Sequence, residues 1–192
     1  MKILLITENY FPEANALANR STSHTKFWSK KEKVFVITCF PNHPMGKKFK
    51  KYSHFNFFKK EVHGNLTIFR IWSFISKKDN SILNFLDYLS FGISSFFLSL
   101  FIKCDVIIGS SPPLPVAFFT MLSAKIKGTK VFIEIRDMWV DSIKELNLSK
   151  SKFLINILYF FERIMLKNSD KILCAKELIK KEIIKKGISK NK

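Results

Sequence analysis

The residues of this chain best suited to chemistry fall in four short segments, each following a run of apolar residues. The first is Glu8-Asn9-Tyr10-Phe11-Pro12-Glu13-Ala14-Asn15-Ala16 and the second Phe40-Pro41-Asn42-His43-Pro44-Met45-Gly46. The others are Gly109-Ser110-Ser111-Pro112-Pro113-Leu114 and Glu134-Ile135-Arg136-Asp137-Met138-Trp139. They hold most of the prolines and most of the polar groups with no obvious partner. Each residue has two readings. Glu13 either meets a ligand hydroxyl or caps the helix that follows; His43 either contacts substrate or fixes its loop. Arg136 and Asp137 either serve a reacting centre or pair with each other and cap a helix. Arg20 is a ligand contact or a surface ion-pair residue. Ser111-Pro112-Pro113 suits a turn, since proline is routine at a helix start. Trp139 is a stacking face or core.

Elements that would position these segments are legible from the apolar pattern. Lys2–Thr7 and Lys33–Cys39 read as buried strands around a helix over Ala16–Lys30, a βαβ unit. Phe55–Val62 and Leu66–Trp72 flank His63-Gly64-Asn65 and predict a hairpin. A long helix starts near Ser81. Strands at Asp105–Gly109, Lys130–Ile135 and Lys171–Cys174 alternate with helices at Leu114–Lys127, Ser151–Lys167 and Lys176–Lys186. Glu162 and Arg163 are expected on the wet side of their helix. The pattern predicts an α/β fold, a Rossmann-like mainly parallel sheet with helices on both faces, in one domain over 1–192. Ligands of such sheets bind at the carboxyl ends of the strands, where the four segments lie.

The usual cofactor signatures are missing. No G-x-G-x-x-G follows the first strand, no Walker loop occurs, and there is no G-x-S-x-G elbow. A dehydrogenase, a P-loop NTPase and an α/β-hydrolase are thereby disfavoured. No metal-binding carboxylate pair is evident. Cys39, Cys104 and Cys174 lack short spacing and read as small core residues in a reducing compartment.

The formal charge of +18 is large for 192 residues. It suits phosphate-bearing partners, and equally an AT-rich codon bias towards Lys, Ile, Phe and Asn. Ile82–Ile102 approaches a membrane span in length and hydropathy. Its polar residues Asp87, Ser90, Ser94, Ser95 and Ser99 recur on one helical face, which predicts a largely buried helix that touches a membrane surface at most.

In order and spacing, Phe11-Pro-Glu13-x-x-Ala16 with Arg20, Phe40-Pro-Asn-His-Pro-x-Gly46, Ser111-Pro-Pro-Leu114 and Glu134-x-Arg-Asp-x-Trp139 with Ser142 form a set. The set resembles the N-terminal, acceptor-side domain of family 4 retaining GT-B glycosyltransferases, in the branch that makes O-antigen, capsule and colanic-acid-type polysaccharides. The resemblance implies transfer of a sugar from a nucleotide-sugar donor, with no further cofactor or metal, to a saccharide on a polyprenyl diphosphate carrier. It implies a cytoplasmic protein peripheral on the inner membrane. It places Asp137 and Arg136 at the reaction and Glu13, Asn15, Arg20, His43, Ser111 and Trp139 around the acceptor. Asn15 stands where relatives have Gly, and is expected to support a left-handed turn. Val140 stands where they have Pro. The family continues after Gly187-Ile188 into a donor-binding domain, whereas this sequence stops at Lys192; alone it is expected to be inactive.

Other classes stay open. One is a non-catalytic acceptor-binding subunit that pairs with a separate C-terminal donor-binding chain, and another is a truncated gene remnant. A basic nucleic-acid-binding protein is disfavoured, because the positive residues are scattered rather than grouped with exposed aromatics.

Overall fold

The structure, a computed structural model, describes residues 1–54, 57–76, 81–146 and 151–192. Its strands are β1 (Lys2–Ile6), β2 (Lys33–Cys39), β3 (Phe58–His63), β4 (Leu66–Ile71), β5 (Val106–Ser111), β6 (Lys130–Ile135) and β7 (Lys171–Cys174). Its helices are α1 (Ala16–Trp28), α2 (Ser81–Phe101), α3 (Leu114–Lys127), α4 (Trp139–Glu145), α5 (Lys152–Asn168) and α6 (Glu177–Lys185). The strands form one sheet in the order β3-β4-β2-β1-β5-β6-β7. All pairings are parallel except β3 with β4, the expected hairpin, in which Glu61 faces Ile68 and Lys59 faces Arg70. Phe55 and Asn56, at the expected start of that hairpin, lie outside the described residues.

β1 occupies the interior, as its apolar run predicts: Ile3 to Ile6 are buried on both faces, the signature of a covered parallel strand. Leu5, Val34, Val36, Leu66 and Ile68 pack with Tyr10 and Trp28 on the α1 side. Leu4, Ile6, Ile37, Ile107 and Ile133 pack on the opposite side with Phe91 of α2, Met121 of α3 and Leu158 and Met165 of α5. Helices therefore cover both faces. Strand order reverses between β1 and β5, and there the loops after these strands diverge and open a crevice.

α2 corrects the expected burial pattern. Its polar face turns inward: Asp87, Ser95 and Ser99 are almost fully buried. Ser95 and Ser99 donate their hydroxyls to the helix's own carbonyls at Gly92 and Phe96, so small satisfied residues face α3. Asp87 accepts the backbone N–H of Ser76 at 3.1 Å, which ties the incoming chain to the helix. Ile82, Leu86, Ile93, Phe97 and Phe101 face outward instead. The helix is long and apolar enough to cross a membrane, yet only 28% of its apolar window is buried. It is half-covered rather than largely buried. Size explains why the polar face turns inward: a Cβ on Gly92 would meet Phe119 Cδ2 at 2.9 Å and the Pro115 carbonyl oxygen at 3.2 Å, so only small residues fit against α3.

α5 holds a second correction. Glu162 is buried, not solvated, and accepts from Lys186 Nζ at 2.7 Å. Lys186 also reaches Asp141 at 2.7 Å, and Asp141 accepts the Tyr159 hydroxyl at 2.7 Å. Burial opposes the Lys186 charge, but the two carboxylates overcome it and raise its pKa. Burial acts on Asp141 too, and its bonds to Lys186 and Tyr159 outweigh it and lower the pKa. Burial dominates at Glu162 and raises it. One lysine thus joins α4, α5 and the end of α6.

Candidate functional site at the strand switch point

An open cleft of about 320 Å³ lies at the carboxyl edge of the sheet. Glu8 and Asn9 reach it from the end of β1, Asn15, Ala16 and Leu17 from the start of α1, and His43 from the loop after β2. Tyr88 of α2, Pro112 and Pro113 after β5, Arg136 after β6 and Trp139 at the start of α4 complete it. The four segments singled out in the sequence thus all end at one edge. They contribute unequally.

Glu13 is 3% exposed and lies behind the cleft. Its carboxylate accepts the backbone N–H groups of Asn42 and His43 at 2.8 Å each and of Tyr10 at 3.2 Å. It neither lines the cleft nor caps α1; it clamps the β1 loop to the β2 loop. Asn15 supplies the cap, its side chain accepting from Ala18 N at 2.8 Å. With φ −94° and ψ 168° Asn15 is extended, which corrects the expected left-handed turn: the capping role requires β-region backbone. Arg20 forms an ion pair with Glu134 of β6 and lies outside the lining residues. Ser111 is buried at the end of β5, and its carbonyl accepts the Arg136 N–H at 2.9 Å. Asp137 is exposed and lies outside the lining residues.

Arg136 is the cation of the cleft. Its Nη2 donates to the Pro112 carbonyl at 3.0 Å, which fixes the guanidinium against the β5 loop. Burial pushes its pKa down, while Glu134 and Asp137 pull it back up. Two donors, Arg136 Nε and Asn9 Nδ2, are buried without a partner among the described residues. Tyr88 and Trp139 form an aromatic wall, ring centroids 6.3 Å apart and nearly perpendicular. Burial, with the nearby carboxylates of Glu8 and Asp87, pushes the Tyr88 phenol up to about 12. A guanidinium, an amide, an imidazole and an aromatic wall lining one cleft suit a ligand rich in hydroxyl and phosphate oxygens.

The sequence reading passed over Asn9 and Tyr88 as individual residues. Asn9 carried a signal, a buried-type position held by an amide directly after a central strand. Tyr88 carried none, because nothing in α2 distinguishes it from a core aromatic.

No protein-family profile matches the chain. The chain is 29% identical over 197 residues to the colanic acid biosynthesis glycosyl transferase WcaI of Escherichia coli K12, covering 98% of this chain and 48% of that one. It thus spans about half the length of the curated relative it matches. Its fold is similar to that of sucrose-phosphate synthase from Thermosynechococcus elongatus, with a TM-score of 0.56 at 11% identity, over 98% of this chain and 45% of that one. The chain is thus similar in sequence to a glycosyl transferase of colanic acid biosynthesis and in fold to sucrose-phosphate synthase.

Proposed function

We propose that this chain is the acceptor-side half of a glycosyltransferase of polysaccharide synthesis, moving a sugar from a nucleotide-sugar donor to a saccharide carried on a polyprenyl diphosphate. The observation that carries this reading is the cleft at the strand switch point, where Asn9, His43 and Arg136 from three different strand-end loops meet the aromatic wall of Tyr88 and Trp139. In this reading the acceptor saccharide lies along Tyr88 and Trp139 with His43 beside it. Arg136 stabilises negative charge as the nucleotide diphosphate departs. Such electrostatic stabilisation is commonly the largest catalytic contribution, about 10²–10³-fold for one donor. A donor-binding half, joined to this one or separate, supplies the remaining contacts and positions the second substrate. The protein works on the cytoplasmic leaflet, held peripherally; its net charge of +18 supports attraction to anionic lipid.

The test is transfer of labelled sugar to a lipid-linked saccharide by the chain alone and by a fusion to the C-terminal half of its Escherichia coli relative. The expected outcome is turnover by the fusion and none by the chain alone. Robust transfer by the 192-residue chain, or an inert fusion that still binds both substrates, overturns the reading.

A further inference from the structure

The outward faces of α2, α3 and α5 form one apolar surface. Phe97 of α2 is 59% exposed and Phe160 of α5 is 61% exposed. A continuous row of rings connects them: Phe97–Phe96 at 5.2 Å, Phe96–Phe119 at 6.0 Å, Phe119–Phe118 at 5.8 Å, Phe118–Phe161 at 5.0 Å and Phe161–Phe160 at 5.8 Å between centroids. Beside this row, Phe85 and Leu89, Leu114 and Pro115, and Leu158 line a small hollow with no polar surface. Exposed Ile82, Leu86, Ile93 and Phe101 extend the face along α2, and Phe153 and Leu154 extend it on α5. A contiguous exposed apolar surface of this kind marks an interaction site rather than ordinary solvent-facing residues.

Charge identifies the partner. The three helices contain two acidic residues, Asp87 and Glu162, and both are buried. Every exposed charge on them is basic: Lys125, Lys152, Arg163 and Lys167, with exposed Lys103 just after α2. An aromatic and aliphatic face whose own exposed charges are all basic is the pattern of a helix surface lying in an anionic lipid interface. α2 is not free to span, since its inner face is Phe91, Ser95 and Ser99 packed in the core. The face also meets the cleft: Tyr88 and Pro113 line the cleft while their chain neighbours Leu89 and Leu114 line the apolar hollow.

We infer that the α2–α3–α5 face is the surface by which this protein lies on an anionic phospholipid bilayer, with the Phe97-to-Phe160 row at the level of the lipid head groups. This orientation rests on the proposed membrane-borne acceptor and puts the cleft mouth at the bilayer surface, where the carrier's diphosphate emerges.

The experiment is co-sedimentation of the full chain with vesicles of phosphatidylglycerol and phosphatidylcholine, and with phosphatidylcholine alone. Binding is expected to the anionic vesicles, released by high salt. The double variant Phe97→Glu/Phe160→Glu is expected to lower partitioning at least tenfold, and Lys125→Glu/Lys152→Glu to lower it for anionic vesicles. Phe27→Glu, at a 71% exposed site on α1, is expected to leave it unchanged, with all variants showing the parent's urea midpoint. Equal binding by the double variant overturns the inference. So does a dimer, seen by light scattering, that the double variant dissolves while vesicle binding is absent throughout, or retention that only detergent reverses. The proposed function is tested apart: in the fusion, transfer to a water-soluble saccharide is expected to survive both pairs of substitutions. Vesicle binding as expected with no transfer to any acceptor sinks the function and leaves the docking face standing.

Discussion

The Glu13 carboxylate receives the backbone N–H of His43 at 2.8 Å, from a residue 30 positions further along the chain. A side chain that reads as a ligand contact is thus the fastener of the loop that carries one. Three backbone donors converge on it in a buried site, so Glu13→Ala leaves all three unsatisfied. The expected loss is about 2–4 kcal/mol of unfolding free energy, with Glu13→Gln losing about half as much. Urea denaturation of the isolated chain measures both. Equal stability of parent and alanine variant would show that the clamp contributes nothing.

Gly92→Ala gives a test of sign. In an exposed helix interior this change stabilises by about 1 kcal/mol. Here the added Cβ meets Phe119 and the Pro115 backbone inside van der Waals distance. A backbone atom cannot swing aside, so the expected effect is destabilisation of about 1–3 kcal/mol. A higher melting temperature for the variant would mean that α2 does not lie on α3 as described.

Much of the fold was legible in the sequence because buried parallel strands are written as unbroken apolar runs, and all but the hairpin's antiparallel edge follow from them. The burial of helix α2 was overestimated because periodicity shows which residues share a face and not how much of the helix its neighbours cover. The usual assumption that serines face water fails where a neighbouring helix demands small residues. Glu162 and Arg70 were missed for a related reason. Arg70 is 1% exposed, its Nε donating to Glu61 at 3.2 Å, and only the hairpin register brings that carboxylate to it. The cleft was legible as a set of loops. Which loop residues face ligand and which hold the loops was not, because Glu13 and Arg136 are both charged loop residues whose roles depend on what the fold puts around them.

Arg136 and Asp137 separate in the fusion enzyme. Arg136→Lys is expected to lower kcat/KM by about 10²–10³-fold, since lysine has no fork to hold Pro112 and a diphosphate together. Asp137→Asn, at an exposed position beside it, is expected to cost less than about tenfold, or about 1.4 kcal/mol. The reverse ranking in steady-state kinetics would move the centre of the reaction to Asp137.

All four tyrosines, Tyr10, Tyr52, Tyr88 and Tyr159, have pKa values raised above the ordinary 10.0, in each case by burial first. The folded chain therefore retains protons that the unfolded chain releases. This contribution to stability is complete below pH 10 and declines as pH rises through the folded values. Phenolate absorbance in the native protein is expected to stay flat through pH 10, with Tyr88→Phe removing a component near 12. A normal titration step at pH 10 would show these rings to be open to water.

The Lys186 ammonium bonds to Asp141 and Glu162 at 2.7 Å each, and Asp141 stands two residues beyond Trp139. The aromatic wall of the cleft and the last helix are therefore fastened to a single ionic rivet. Lys186, just past the end of α6, thus ties that segment to α4 and α5 at once. The chain turns away from this rivet at Gly187, whose φ of 82° lies in the region glycine enters most freely.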